Sequence, residues 1–182
     1  MSVNREVHPV ELVDDAGRSI GTCSVAEAHT LPGRHHRAYS VLLLGPDGVL
    51  LQRRAGVKTR FPLRWSNTTC GHPAPGGDLP DEAATRLAEE MGLTGIPLRE
   101  VGEFDYRAED AATNRVEDEH DHVLVGVVDT APAPTPDPSE VAEWRWVPLA
   151  ELRADLAARP DEYTPWLGGV LRLAAQAAAD TH

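Results

Sequence analysis

Two apolar stretches joined by four turn formers constrain this chain more than any other feature. Residues 38–44 and 49–52 are apolar-rich and flank Gly45-Pro46-Asp47-Gly48, which predicts a β-hairpin. Residues 10–13 read as a strand, with Asp15-Ala16-Gly17 turning into residues 19–22. A polar segment holding His29, Pro32, Gly33, His35 and His36 follows. Residues 53–80 have much Gly, Pro and Arg and little periodicity, as expected of loops crossing a site. Residues 81–91 predict a short helix: Pro80 suits its first turn, Asp81 and Glu82 favour its positive end, and Gly92 stops it. Residues 101–106, 123–128 and 143–147 read as strands and 149–158 as a helix. Thr164-Pro165 resembles an N-cap and first residue, opening a last helix to residue 179. The proline-rich run 131–138 can be neither helix nor inner strand, and it is too short to separate domains. Strands outnumber helices, so the prediction is one α+β domain over residues 1–182, with about 1–9 and 180–182 as loose termini.

With 182 residues the chain can build one sizeable core. Its net charge of −12 argues against nucleic-acid binding, which needs a basic face to displace counterions. A small anion is still compatible, because a local cationic pocket can sit on an acidic protein. No apolar run is long enough to span a bilayer and residues 1–6 lack a signal-peptide pattern, so no membrane partner and a cytoplasmic location are expected. The two cysteines, Cys23 and Cys70, are too few for a disulfide framework. No Gly-x-Gly-x-x-Gly turn follows a strand, so neither flavin nor nicotinamide is expected. Size and charge are compatible with a monomer or a homodimer.

Four groups of residues bear chemistry. In Ser66-Asn67-Thr68-Thr69-Cys70-Gly71-His72-Pro73 a thiol stands two residues from an imidazole, a plausible acid/base or nucleophile beside a metal ligand. A buried Cys and a surface His would look the same. In Glu117-Asp118-Glu119-His120-Asp121-His122 an extended backbone turns Glu117 and Glu119 to one side. Two such carboxylates repel unless a cation lies between them or one is protonated; the plainer reading is a solvated acidic run. His29 and His36 are separated by Pro-Gly turn chemistry and can fold toward each other, although a lone His is more often structural. Three imidazoles and two carboxylates together suit Zn2+, Mn2+ or Mg2+. The last group is the glutamate pair Glu89-Glu90 before Gly92, usually only a solvated helix face.

Taken together, these residues resemble the type I isopentenyl-diphosphate isomerases, a family with a Nudix-like fold. The resemblance runs from about Val10 to Leu171. Its core is residues 66–73 with Glu-Asp-Glu-His-Asp-His-Val-Leu-Val-Gly at 117–126. Ala28-His29-Thr30, Arg34-His35-His36-Arg37-Ala38, Tyr106-Arg107-Ala108 and Thr164-Pro165-Trp166 stand in the expected order. The fold it implies is an α/β/α sandwich, a mixed sheet flanked by helices. Against the Nudix hydrolase box, Gly71, Glu89-Glu90 and Gly92 are present, but the earlier Glu is Gly77 and the Arg-Glu step is Thr85-Arg86. A cation in place of a metal-binding carboxylate favours holding a diphosphate over cleaving it.

The resemblance implies that His29, His36, His72, Glu117 and Glu119 bind the protein's own divalent metal, Mn2+, Zn2+ or Mg2+. Glu90 would hold a Mg2+ bridging to the substrate diphosphate. Arg54, Lys58 and Arg86 would meet phosphate oxygens. Cys70 and Glu119 would be the acid/base pair, with Tyr106 beside Glu119 and Trp166 over the hydrocarbon. Glu119 with Tyr106 is expected to protonate the alkene of a small prenyl diphosphate, and Cys70 to remove the neighbouring proton. Trp166 would stabilise the intermediate cation. Two positions depart from the family: Val25 stands where a Lys is common, and Pro-Gly-Val-Trp reads Pro62-Leu63-Arg64-Trp65. Arg64 is the candidate to replace the missing charge. A Nudix diphosphate hydrolase and a non-catalytic metal-stabilised binding module are the rival readings. The altered helix opposes the first, and the presence of both Cys70 and Glu119 opposes the second.

Overall fold

A computed structural model describes residues 4–179. Its strands are β1 (Pro9–Val13), β2 (Ser19–Ser24), β3 (His36–Gly45), β4 (Gly48–Arg54), β5 (Trp65–Ser66), β6 (Thr69–Gly71), β7 (Arg99–Asp110), β8 (Arg115–Val127) and β9 (Val141–Val147). Its helices are α1 (Val25–Ala28), α2 (Leu79–Met91), α3 (Leu149–Ala158) and α4 (Leu167–Ala179). All nine described strands join one sheet. β3 is its axis: it forms the expected hairpin with β4, pairs antiparallel with β6, and runs parallel to β8 from His36↔Glu119 to Leu44↔Val127. That parallel pair makes the sheet mixed.

The apolar run in β3 is continuous because both faces of the strand are covered. Val41 and Leu43 pack with Leu50, Leu124 and the α2 residues Ala83, Leu87 and Met91. Leu42 points the other way, into a core with Val123, Val125, Leu152, Leu167, Val170 and Leu171. The α/β/α layering therefore follows from strand alternation. None of the described helices is long and apolar enough to cross a membrane.

Helix α2 begins two residues before the predicted start. Asp78, not Pro80, sets the boundary, accepting the amide of Asp81 at 3.1 Å. Its buried stripe is Ala83, Arg86, Leu87, Glu90 and Met91, helical spacing that carries two charged residues inward with the apolar ones. The stop is Gly92, at φ +67°, where a Cβ would lie 2.6 Å from the Thr135 carbonyl oxygen. Gly92→Ala is expected to lower unfolding free energy by at least about 1–2 kcal/mol from left-handed strain alone, read as a shift of the urea midpoint. An unchanged midpoint would contradict the left-handed backbone at Gly92.

Three expectations need correction. Residues 5–9 are tied down, not loose: a 3-10 turn spans Arg5–Val7, Pro9 starts β1, and Arg5 and Glu6 pair with Glu89 and Arg60. Residues 1–3 and 180–182 lie outside the described residues. The last helix starts at Leu167, after a turn in which the Thr164 carbonyl accepts the Leu167 amide at 3.2 Å and the Thr164 hydroxyl donates to Ser66 Oγ at 3.0 Å. Strands β7 and β8 also run well beyond 101–106 and 123–128, as one long hairpin paired from Arg99↔Val125 to Asp110↔Arg115.

Candidate active site

The acidic run lies inside β8, where alternation sends Glu117, Glu119 and Asp121 into the protein. The three imidazoles reach Glu119 from three elements. His29 ends α1, a single turn closed by reciprocal hydrogen bonds between Ser24 and Glu27. His36 opens β3 opposite Glu119, and His72 follows β6. His29 and His36 are fully buried. The three ring centroids are 4.7–5.0 Å apart.

Their tautomers follow from their partners. Nδ1 of His29 donates to Val25 O and Nδ1 of His36 to Arg34 O, both at 2.7 Å. A carbonyl only accepts, so in each ring Nδ1 carries a hydrogen and Nε2 faces inward. Glu119 Oε1 lies 2.9 Å from Nε2 of His72, 3.4 Å from that of His36 and 3.5 Å from that of His29. Nε2 of His36 is buried without a hydrogen-bond partner. An orphaned ring nitrogen aimed at a carboxylate oxygen fits a cation between them. The ligand atoms of His29, His36, His72 and Glu119 all lie within 4.8 Å of one another, a donor set suited to one divalent ion. Glu117 stands one step back: Oε2 meets His29 Nε2 at 2.9 Å, and Oε1 faces Arg60 Nε at 3.2 Å.

Without metal the cluster holds charge unevenly. Burial alone would raise the Glu119 carboxyl, but the imidazoles of His29, His36 and His72 around it hold it well below the usual range. Burial depresses His72 to about 3. His29 goes the other way: burial would lower it, but Glu117 and Glu119 together raise it to about 9. The stability His29 lends the metal-free protein is therefore complete below 6.5 and lost as pH rises through about 9. Metal loading near neutral pH is expected to release close to one proton from His29. Calorimetric titrations in two buffers of different ionisation enthalpy measure that number; zero release would contradict the His29–Glu117 assignment.

Beside the cluster opens a pocket of about 270 Å³, lined by Cys70, Tyr106, Glu119, Trp166 and a set of cations. Tyr106 Oη donates to Glu119 Oε2 at 2.6 Å. Burial pushes the Cys70 thiol up to about 12, with Arg54 acting in the opposite sense from 3.9 Å. Trp166 is held by its indole N–H, which donates to Asn67 Oδ1 at 2.9 Å, and by Phe61 and Tyr106 with centroids 5.6 and 5.7 Å away. Arg54, Lys58 and Arg86 line the same pocket. Lys58 and Arg86 both pair with Glu140, and Arg5 lies 3.8 Å from it. Glu90 is not part of the lining. It is buried under α2, paired with Arg86 and accepting from Gln52 and Thr69.

A NUDIX domain model matches residues 34–167. An isopentenyl-diphosphate Delta-isomerase of Nocardia farcinica is 64% identical over 91% of this chain and 94% of its own length. Another, of Halorhodospira halophila, is 42% identical over 86% of this chain and 89% of its own length. This chain belongs to the isopentenyl-diphosphate Delta-isomerase family. The fold agrees: the crystal structure of DR0079 from Deinococcus radiodurans superposes with TM-score 0.71 at 19% identity, over 91% of this chain and 98% of that one. A Caenorhabditis elegans Ap4A hydrolase shares the fold at TM-score 0.55 and 18% identity, covering 79% and 98%.

Within this isomerase-family chain the altered helix has a clear electrostatic consequence. Arg86, in place of a box glutamate, neutralises Glu90 one turn later, so no bare carboxylate cluster remains there. Leu63, at the position where the resemblance implies Gly, has a left-handed backbone at φ +59°. That backbone strains a residue with a Cβ in the loop before Cys70. Arg64 does not supply the charge missing at Val25: it donates to Tyr163 O at 3.4 Å and is not among the pocket residues. Arg5 and Arg60 bring additional cations to the pocket instead. Sequence reasoning missed Arg60 and Glu140, for which no local pattern exists. It also missed α1, for which Ser24-x-x-Glu27 was a usable signal.

Proposed function

We propose that this protein interconverts isopentenyl diphosphate and dimethylallyl diphosphate by proton transfer to and from the alkene. The observation that carries this is one pocket presenting the Cys70 thiol, the Glu119 carboxylate with Tyr106 on it, and the Trp166 ring. An unactivated alkene needs a donor and an acceptor around a flat hydrocarbon, and an aromatic face for the tertiary cation between the two steps. Trp166 is only 2% exposed, and a dry wall of this kind keeps water from trapping the cation as an alcohol.

His29, His36, His72 and Glu119 would hold one Mn2+, Zn2+ or Mg2+, with Glu117 beside them. When bound, such an ion supplies positive charge that keeps Glu119 ionised and fixes its orientation. Arg54, Lys58 and Arg86 would bind the diphosphate, the last two by exchanging Glu140 for phosphate oxygens. Glu90, paired with Arg86 in this structure, would be the carboxylate to hold the Mg2+ that accompanies the diphosphate if Arg86 turned to phosphate instead. The partner is a small prenyl diphosphate and not nucleic acid, acted on by a monomer or homodimer in the cytoplasm.

The resting protonation states support the reverse of the order expected from sequence. Cys70 holds its proton at neutral pH and Glu119 is ionised. Cys70 would then protonate isopentenyl diphosphate, and Glu119, assisted by Tyr106, would accept the proton that leaves. Neither group titrates near neutrality on this reading. The expected kcat/KM for isopentenyl diphosphate is therefore level from mildly acidic to mildly basic pH. A rate that climbs steadily on acidification would require protonated Glu119 as donor.

NMR of the metal-loaded protein with isopentenyl diphosphate and Mg2+ in deuterated water tests the activity itself. Dimethylallyl diphosphate carrying deuterium is the expected product. Release of inorganic phosphate in its place would overturn the reading in favour of hydrolysis.

A further inference from the structure

We propose a second divalent-metal site on the outer side of the same strands, formed by His35, Asp105 and His120. Its three ligands are the chain neighbours of three inner-site residues: His35 precedes His36, Asp105 precedes Tyr106, and His120 follows Glu119. In β7 and β8 this is strand alternation, since Tyr106↔Glu119 and Asp105↔His120 are successive cross-strand pairs whose side chains leave opposite faces. The ligand atoms of the three outer residues lie within 4.8 Å of one another. His120 Nδ1 is 2.7 Å and His35 Nε2 3.3 Å from the same oxygen, Oδ1 of Asp105.

The orientation of His35 points to an ion. Its Nδ1 meets Asp118 Oδ1 at 2.8 Å, and a carboxylate there takes the ring hydrogen. With Nδ1 turned to Asp118, Nε2 is the ring nitrogen left to face Asp105 and an ion beside it, as in the carboxylate–histidine–metal arrangement. Zinc bonds of about 2.0–2.2 Å set tetrahedral ligand atoms roughly 3.3 Å apart, which these side chains reach with little movement. Asp105 is about half exposed and His35 about a quarter, so an ion has access from solvent. The neighbouring cation, Arg37, is already engaged by Glu11 and by Gly17 O. Two imidazoles with one carboxylate select Zn2+ or a similar imidazole-seeking ion over Mg2+. Bound there, it ties β7, β8 and the lead-in to β3 together directly behind Tyr106, Glu119 and His36.

Equilibrium dialysis of the metal-loaded protein against micromolar Zn2+, with metal counted by mass spectrometry, tests the site. The wild type is expected to take up one equivalent beyond its interior ion and to melt at a higher temperature with Zn2+ than without it. His35→Gln and His120→Gln are each expected to lose that equivalent and the Zn2+-dependent rise, with isomerisation in Zn2+-free buffer unchanged. His35, the more exposed of the two, keeps the test valid if His120→Gln folds poorly. No extra equivalent in the wild type, or its retention in either variant, would overturn the proposal. Neither result touches the inner site or the reaction proposed for it.

Discussion

Cys70→Ala is expected to lower isomerisation by about 10²–10⁴-fold, the range lost with a positioned acid or base. Little else should change. Cys70 is outside the four-residue ligand cluster, so metal content stays at the wild-type level. Removing one sulfur from a packed position costs about 1 kcal/mol, so the variant still folds. Initial rates, metal analysis and a thermal melt on one preparation separate these effects. Activity within about tenfold of wild type would remove Cys70 from the proton-transfer pair. Cys70→Ser retains a proton but no comparable acid and is expected to fall nearly as far.

Glu119→Gln is expected to be at least as damaging, about 10³–10⁴-fold, and by two routes at once. The carboxylate is the one group that all three imidazoles and Tyr106 converge on. An amide there cannot accept the substrate proton, and it places N–H groups where a cation is wanted. The variant should therefore lose metal on gel filtration as well as activity, in contrast to Cys70→Ala. Tyr106→Phe removes only the hydrogen bond to Oε2, so its expected loss is smaller and its metal content normal. Full metal retention by Glu119→Gln would mean that the ion is held without this ligand.

Much of the site was visible in the residues themselves. The sequence offers His29, His36, His72, Glu119, Cys70, Tyr106 and Trp166 as candidates, and the structure gathers them around one pocket wall and one group of side chains able to hold a metal. Residues 38–52 formed the expected hairpin, and α2 formed between expected signals, shifted by one cap. Glu90 differed, because whether a helix carboxylate faces a pocket depends on a partner three or four residues away and on what packs above it. Arg60 and Glu140 escaped notice for a similar reason. Their importance lies in Glu117, Lys58 and Arg86, more than fifty positions distant.

Caps, turn residues and alternation act within about four residues, so the chain alone determined its hairpin, the Gly92 stop of α2 and the common side of Glu117 and Glu119. Motif order added the identity of the thiol, the imidazoles and the aromatic wall. The parallel pairing of β3 with β8 is non-local, and only the tertiary structure set His36 opposite Glu119 and closed the metal cluster. Tertiary packing also decided which distant charges were buried against each other: Arg60 on Glu117, and Lys58 with Arg86 on Glu140. An ion pair of that kind forms where the folded chain excludes water, and no segment of the sequence holds that information by itself.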